Sequence, residues 1–354
     1  MNKIQLLVGL TILIACSPPE KAVQNELSLD HATGFHFEKR TDGRYLVIDQ
    51  PWPNAKKTKE YKLDKPLQRV VCTSTSHLPF FEMLGSEEVL IGFPNVSYIS
   101  SEVFTERAEQ GLITDLGPDG GMNIELLLSL QPDAVIAFDA GGESGNLDKI
   151  VEAGIPVIYN SDFLETSPLG RAEWIKFFGA LLGEEQKSDS VFSAIEKEYQ
   201  RLVEVAKASE TKPTILNGVV YGDTWFMPGG GNWASVFYEN AGGQYLWAED
   251  TTTSWLELSF EAVYDRGRTA DFWIGTSSFN SKSEMLGSEG RYADFGPFAK
   301  DRVYNYSKKR SPTGAYDFFE SAYARPDLVL ADLIKVLHPE LLPTYETVYF
   351  EQLK

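Results

Sequence analysis

Few side chains in this sequence match the residue types and spacings of known catalytic or metal sites. The chain has four histidines and two cysteines, and it lacks any H-E-x-x-H, G-x-S-x-G or C-x-x-C pattern. His77 could bind a metal, although a lone loop histidine more often serves local hydrogen bonding. Asp223 and Glu249 could be the paired carboxylates of an envelope enzyme that acts on glycans. Such pairs also arise by chance among 51 acidic residues, so this interpretation stays an alternative.

Aromatic and basic residues in the predicted loops offer binding chemistry instead. Trp225 stands between a predicted strand and the glycine run 229–231, where its ring could stack on a flat ligand. The cations of Lys308, Lys309 and Arg310 could face ligand oxygens. The alternative is that they are only a solvated run of charges in a loop. Core packing is the alternative for the aromatic residues. The candidate ligand-binding residues are His77, Tyr98, Phe138, Trp225, Trp233, Arg310 and Tyr316.

The first residues predict export. Lys3 precedes the apolar run 4–15, which is too short to cross a bilayer as a stable helix. The ending Leu13-Ile14-Ala15-Cys16 resembles the bacterial lipobox, so 1–16 is predicted to be a lipoprotein signal peptide with Cys16 lipidated. An ordinary signal peptide with an incidental cysteine is the alternative. The predicted location is the bacterial cell envelope, facing the periplasm or the outer side of the membrane that carries the lipid.

Charge and cysteine content narrow the choice of partners. The net charge of -19 argues against nucleic acid and anionic lipid, and it makes a strongly anionic ligand less favourable. Lipidation of Cys16 would leave Cys72 as the single thiol, so the exported protein would have no intramolecular disulfide. Its fold would then depend on a hydrophobic core, for which the chain is long enough.

The order of predicted elements indicates an α/β protein with two lobes. A flexible tether and an N-terminal β appendage, with one Thr-Asp-Gly hairpin turn, are predicted over 17–66. Strands alternate with helices over 67–168 and again over 212–354, which is typical of mainly parallel sheets. The segment 169–211 is predicted to be a helical connector. Its 3.6-residue period over 184–209 predicts one long rigid helix.

A faint repeat relates the two lobes. Glu125 follows Asn123 by two residues at a predicted helix start, and Glu261 follows Ser259 in the same way. A carboxylate in the first turn interacts favourably with the helix dipole. Each glutamate could therefore serve only its own helix.

Longer motifs resemble the class III solute-binding proteins of ABC importers, whose members carry ferric siderophores, haem or vitamin B12. The resemblance covers roughly 68–354 and leaves the β appendage outside. It implies two α/β lobes joined by one long rigid helix, with the ligand cleft between the lobes, no catalysis and no resident cofactor. The motifs are Gly121-Met122-Asn123-Ile124-Glu125, Gln131-Pro132-Asp133-Ala134-Val135-Ile136, Ala324-Arg325-Pro326-Asp327-Leu328 and Leu337-His338-Pro339-Glu340.

The resemblance also implies partners. In this class one surface glutamate per lobe docks onto arginines of a permease dimer, which works with an ATPase, and the matching positions are Glu125 and Glu261. The protein itself is expected to be a monomer. A ferric siderophore is the expected ligand because of the closing-helix motif and the basic cluster 308–310. Vitamin B12 is the next choice because the expected rim is aromatic, and haem is the third.

Overall fold

The structure, a computed structural model, describes residues 27–118, 121–141 and 145–354. The predicted signal peptide, Cys16 and the predicted tether up to residue 26 lie outside these residues. Within the described ranges, no helix combines the length and apolarity needed to span a membrane. Cys72 is a buried free thiol.

An antiparallel sheet of three strands forms the N-terminal appendage, and the predicted hairpin joins its first two strands. The Phe35 ring packs 4.6 Å from the Trp174 ring, centroid to centroid, within the core of the first lobe. The Glu173 carboxylate also accepts the backbone N–H of His31 at 2.7 Å. The appendage is therefore packed against the first lobe. Its strands are β1 (Phe35–Arg40), β2 (Gly43–Ile48) and β3 (Lys59–Lys62).

The first lobe is built on a five-stranded parallel sheet. Its strands are β4 (Val70–Cys72), β5 (Leu90–Phe93), β6 (Thr114–Asp115), β7 (Ala134–Ala137) and β8 (Val157–Tyr159). Their spatial order is β6–β5–β4–β7–β8. Strands β4, β7 and β8 are buried along their whole length, as expected for a parallel sheet with both faces covered. The helices of this lobe are α1 (Leu78–Leu84), α2 (Glu102–Glu109), α3 (Ile124–Ser129) and α4 (Gly145–Glu152).

A helical connector follows, formed by α5 (Pro168–Glu173), α6 (Ile175–Leu182) and α7 (Glu185–Ala206). The 22 residues of α7 span about 33 Å at 1.5 Å per residue. Phe192 of α7 belongs to the core of the first lobe, whereas Tyr199 and Leu202 belong to the core of the second. One continuous helix therefore packs on both lobes.

The second lobe contains two sheets. Its strands are β9 (Thr214–Leu216), β10 (Val219–Tyr221), β11 (Thr224–Pro228), β12 (Gln244–Tyr245), β13 (Trp255–Leu258), β14 (Phe272–Ile274), β15 (Val303–Asn305) and β16 (Glu351–Gln352). The main sheet has the order β12–β9–β14–β15–β16, with only β16 antiparallel, and β10–β11–β13 form a small antiparallel sheet. The helices are α8 (Trp233–Asn240), α9 (Phe260–Gly267), α10 (Lys282–Ser288), α11 (Gly296–Ala299), α12 (Phe318–Ser321) and α13 (Pro326–Leu337). The predicted two-lobe α/β fold is thus confirmed.

The small antiparallel sheet was not predicted, because 214–221 looks like one strand in the sequence. Gly218 interrupts that strand with a φ of 84°. A Cβ atom at this position would lie 2.0 Å from the carbonyl oxygen of Phe226, so only glycine fits. The chain leaves the main sheet at this glycine and enters the small sheet, which forms one wall of the cavity described next.

Candidate ligand-binding site

A cavity of about 440 Å³ lies in the second lobe, bordered by the small antiparallel sheet and helices α8, α12 and α13. Twenty residues line it, and none of them has a charged side chain. The lining is therefore suited to a ligand that offers apolar or aromatic surface. The aromatic members are Tyr221, Phe226, Trp233, Phe237, Tyr238, Trp255, Tyr306, Phe318, Phe319, Tyr323 and Phe350.

A second pocket of about 420 Å³ lies between the two lobes. The first lobe contributes the segment 73–75 together with Phe93, Pro94, Tyr98 and Phe138, and the second lobe contributes Ala315, Tyr316 and Phe319. None of these side chains is charged. Because Phe319 lines both spaces, the cavity and the pocket adjoin and together form one cleft.

The exposed large aromatic side chains of the described residues all lie in the cleft. Five such side chains have exposed fractions between 41% and 82%. All five line the cleft, whereas the exposed aliphatic residues Val103, Leu112, Val151 and Leu286 do not. An apolar patch that is concentrated in a concave site indicates a binding surface. The five residues are Tyr98, Phe138, Tyr221, Trp255 and Phe319.

The polar groups of the cavity are held by internal hydrogen bonds. The amide Nδ2 of Asn217 donates to the Tyr238 hydroxyl at 2.6 Å and to the Ile274 carbonyl at 2.7 Å. Burial raises the pKa of Tyr238 above its ordinary value, so its phenol stays neutral. At the start of α8, the Asn232 side chain accepts the N–H of Ala234 at 3.0 Å and fixes the turn that carries Trp233.

The periplasmic binding protein family model matches residues 70–306. This match spans more than half of the chain and reaches into both lobes. The chain belongs to the periplasmic binding protein family. The resemblance to the class III members is thereby confirmed.

Known proteins similar to this periplasmic binding protein are distant in sequence. An uncharacterised lipoprotein of Methanocaldococcus jannaschii is 24% identical over 89% of this chain and 77% of its own length. A vitamin B12-binding protein of Vibrio parahaemolyticus is 24% identical over 57% of this chain and 69% of its own. Among solved structures, a possible iron-binding protein from Staphylococcus epidermidis has a TM-score of 0.61 at 17% identity and covers 77% of this chain and 100% of its own. A periplasmic heme-binding protein from Pseudomonas aeruginosa has a TM-score of 0.59 at 19% identity and covers 81% and 98%. At such identities the solved structures support the fold alone.

Four of the seven candidate ligand-binding residues line the cleft of this periplasmic binding protein. Tyr98, Phe138 and Tyr316 border the pocket between the lobes. Trp233 borders the cavity in the second lobe. The structure thus brings these four residues together around adjoining spaces.

Trp225 does not lie in the cleft, contrary to the expectation from the sequence. Its side chain is fully buried, stacks on Trp273 at a centroid distance of 5.4 Å, and donates from Nε1 to the Asn217 carbonyl at 3.0 Å. Successive residues of a strand point to opposite faces, so Trp225 faces the core while Phe226 faces the cavity. The prediction placed Trp225 in a loop after a strand, whereas it lies within β11, on the face turned away from the cavity.

His77 is also a core residue rather than a ligand of the cleft. It is 1% exposed and its ring lies 5.9 Å from the Phe178 ring. Burial lowers the pKa of His77 to about 3, so the imidazole is neutral at physiological pH. Within the described residues, no group of three or more His, Cys, Asp or Glu side chains could hold a metal ion.

The basic cluster does not line the cleft either. Lys309 pairs with Asp317 at 3.2 Å, and Lys308 donates to the Thr347 carbonyl. Arg310 donates from Nε to the Ser307 carbonyl at 2.7 Å, and its guanidinium lies 4.8 Å from the Tyr316 ring centroid. These cations are therefore used in contacts within the second lobe.

Trp255, Phe319, Phe318 and Tyr306 line the cavity but were missed from the sequence. The alternating run Trp255-Leu256-Glu257-Leu258 is a strand signal that could have placed Trp255 on an exposed face. Tyr306 and the α12 residues could not be placed, because their positions depend on how the chain between β15 and α13 packs.

Glu125 and Glu261 are exposed first-turn residues of α3 and α9. The Asn123 side chain accepts the N–H of Leu126 at 2.9 Å, and Ser259 Oγ accepts that of Ala262 at 3.2 Å, so both helix starts are capped. Glu261 Oε1 additionally lies 3.3 Å from Nη1 of Arg291.

The faint repeat between the lobes has a structural counterpart in two aspartates. Asp133 accepts the backbone N–H of Gln68 at 2.9 Å, just before β4, and Asp271 accepts that of Thr214 at 2.8 Å, at the start of β9. Each carboxylate thereby joins two neighbouring strands of its lobe at their amino ends.

The carboxylates considered for glycan chemistry do not lie in the cleft. Asp223 is exposed in the turn between β10 and β11, and Glu249 pairs with Arg266. Neither residue lines the cavity or the pocket. The family and the similar solved structures are binding proteins.

Proposed function

We propose that the protein is the lipid-anchored solute-binding component of an ABC importer, and that its ligand is an uncharged planar metal chelate, a corrinoid of the vitamin B12 type. The observation that carries this proposal is the cleft, which is rich in aromatic rings and has no charged side chain in its lining. Membership of the periplasmic binding protein family supports the transport role.

The chemistry of the lining favours a corrinoid over the other expected ligands. Cobalamin is neutral and presents carboxamides around a flat conjugated ring, so it needs stacking surface and no fixed countercharge. Ferric siderophores of the catecholate type are anionic, and the basic cluster that favoured them lies outside the lining. The vitamin B12-binding relative from Vibrio parahaemolyticus is consistent with this choice.

Haem is the second candidate. Its iron takes an axial protein ligand, and tyrosine can serve in that position. The exposed phenols of Tyr98 and Tyr221 border the pocket and the cavity and could provide it. The two propionates of haem, however, find no cation in the lining.

Separate titrations with three chelates test the proposed ligand. The full-length chain is titrated with cyanocobalamin, hemin and a ferric catecholate, and tryptophan fluorescence is followed. We expect cyanocobalamin to bind at least about tenfold more tightly than either of the others, a difference of about 1.4 kcal/mol. Tighter binding of the ferric catecholate would contradict the proposal and indicate a siderophore as the ligand. Tighter binding of hemin would indicate haem.

Delivery to the permease is proposed to use Glu125 and Glu261, one exposed carboxylate in each lobe. Neither residue lines the cleft, so replacing both with Gln should leave chelate affinity unchanged. Uptake, or stimulation of the ATPase, should be lost, because losing one partner of a buried charge pair costs roughly 2 to 5 kcal/mol. The matched control is Glu106→Gln and Glu204→Gln, which removes two carboxylates from other helices. Normal transport by the Glu125/Glu261 variant would mean that these carboxylates only support their helices.

Anchoring through Cys16 and a monomeric state belong to the same proposal. Replacing Cys16 with Ser should move the full-length chain from the detergent phase to the aqueous phase in phase partitioning. An unchanged distribution would contradict lipid anchoring. The relative in Methanocaldococcus jannaschii is itself named a lipoprotein, which is consistent with a location in the cell envelope.

A further inference from the structure

A buried arginine stands next to two aromatic rings of the cavity. Arg171 of α5 is 5% exposed and is not part of the lining. Its guanidinium carbon lies 3.7 Å from the ring centroid of Tyr323 and 5.1 Å from that of Trp233. These two rings meet edge to face at 5.3 Å, and both line the cavity. A cation over an aromatic face is attracted by the ring quadrupole, and the attraction is stronger when both groups are desolvated.

The surroundings of Arg171 are costly for the fold. Its Nε makes no hydrogen bond to another protein group, and the same holds for Oδ2 of Asp162 and Nδ2 of Asn160. Asp162 and Asn160 are fully or almost fully buried in the segment that follows β8. Burial raises the pKa of Asp162, and the positive charge of Arg171 opposes that rise only in part. Buried charges with incomplete pairing lower stability compared with apolar groups of similar size.

We infer that Arg171 is a positioning residue that holds Trp233 and Tyr323 as a preformed wall of the cavity. This inference rests on the proposed ligand site. The guanidinium reaches both rings from the connector, whereas the rings belong to α8 and to the segment between α12 and α13. It therefore contacts two elements of the second lobe at once. A wall that is already in place lowers the ordering cost when a flat ligand stacks on it.

This role predicts that stability and affinity can be separated. Arg171→Met alone leaves the buried Asp162 without its cation, so it is combined with Asp162→Asn, and the melting temperature of this double variant should stay close to or above that of the wild type. Cyanocobalamin affinity should fall about fivefold to thirtyfold, the scale of one or two desolvated cation–π contacts. Arg171→Lys keeps the cation and should restore a large part of the affinity.

The test uses the full-length chain labelled with 5-fluorotryptophan, with the Trp233 resonance assigned from Trp233→Phe. Arg171→Met should shift and broaden that resonance in the absence of ligand, and Arg171→Lys should do so less. The matched control is Arg107→Met, because Arg107 on α2 also has a buried Nε without a protein partner and does not line the cleft. That control should leave the Trp233 resonance and the affinity unchanged.

Two results would overturn the inference. One is an unchanged Trp233 resonance in Arg171→Met. The other is a parallel loss of melting temperature and affinity in the double variant that Arg171→Lys does not relieve, because that pattern belongs to a purely structural residue. If the wild type binds no cyanocobalamin, the proposed ligand is wrong, and the fluorine resonance still decides the role of Arg171.

Discussion

At the scale of residues, the exposed aromatic side chains carry most of the functional argument. The exposed surface of a tryptophan contributes no burial energy to a monomer, and Trp255 exposes 61% of its surface beside the cavity. Tyr221 exposes 82% at the same site. Rings of this kind are frequent energetic centres of binding surfaces, because they bury large areas with few rotatable bonds. Their position in one cleft links the type of residue to the type of ligand.

Trp255→Ala should therefore weaken chelate binding by about 1 to 3 kcal/mol, with little change in stability. The matched control is Leu112→Ala, an exposed hydrophobic residue in the first lobe and outside the cleft, which should change neither. Isothermal titration with the preferred chelate gives the affinity, and thermal unfolding gives the stability. Equal affinity of Trp255→Ala and the wild type would remove this ring from the binding site.

At the scale of elements, the geometry of the cavity depends on the break at Gly218 between β9 and β10. Gly218 lies between β9 and β10 and lets β10 turn away from the main sheet, and the Trp273 indole donates to the Gly218 carbonyl at 2.9 Å. Asn217 and Val219, on either side of the glycine, line the cavity. The small antiparallel sheet thereby brings Tyr221, Phe226 and Trp255 to the same wall.

Gly218→Ala should lower both stability and chelate affinity, because the new Cβ would meet the Phe226 carbonyl at 2.0 Å. Gly222→Ala is the matched control in the adjacent hairpin turn. Its φ is also positive, at 63°, but a Cβ there meets nothing within 4 Å, so only backbone strain of about 1 kcal/mol is added. Chemical unfolding and chelate titration of both variants separate the two effects. Similar losses in the two variants would mean that the close approach at Gly218 has no special role.

The helices and strands of this fold could be predicted from the sequence where apolar residues recur with the helical period over many residues, or where predicted strands and helices alternate. The connector helix was predicted over 184–209 and is observed over Glu185–Ala206, because its apolar positions follow one face. The sequence did not reveal which face of β11 meets the cavity, since Trp225 and Phe226 are both aromatic. Nor did it reveal that the Lys308–Arg310 cluster is paired within its own lobe. Both depend on tertiary packing that local patterns do not contain.

At the scale of the whole molecule, the two lobes are joined by more than the connector helix. The Glu320 carboxylate of α12 accepts the backbone N–H of Ser100 at 2.7 Å and that of Ser101 at 2.9 Å, both from the first lobe. Burial is the main cause that raises the pKa of Glu320 to about 7; the two N–H groups oppose this rise, and the neighbouring Asp317 and Glu82 add to it. This contact lies beside Phe319, which lines both parts of the cleft.

The raised pKa makes the contribution of Glu320 to stability depend on pH. Because the folded state binds the proton more tightly than the unfolded state, this contribution is fully present below about pH 4.5 and is lost as the pH rises through about 7. The difference is on the order of 3 kcal/mol. Glu320→Gln should remove this pH-dependent contribution. The variant should therefore become more stable relative to the wild type, with a larger free energy of unfolding, as the pH rises from 5 to 8. Denaturant unfolding at both pH values gives this difference.

Comparison with the variant is needed because the buried His77, whose pKa is lowered, changes stability with pH in the opposite sense. Glu102→Gln, an exposed position on α2, is the control and should show no such dependence. A difference between Glu320→Gln and wild type that does not vary with pH would contradict the assigned pKa shift.

The central claim is that the aromatic, uncharged cleft holds a corrinoid in the cell. Native mass spectrometry of the full-length protein purified from its own cells tests this most directly. We predict a bound species with the mass and cobalt content of a corrinoid, at one molecule per chain, with reduced occupancy in Trp255→Ala. A bound ferric siderophore or haem in its place, or a corrinoid whose occupancy does not depend on the cleft residues, would contradict the account.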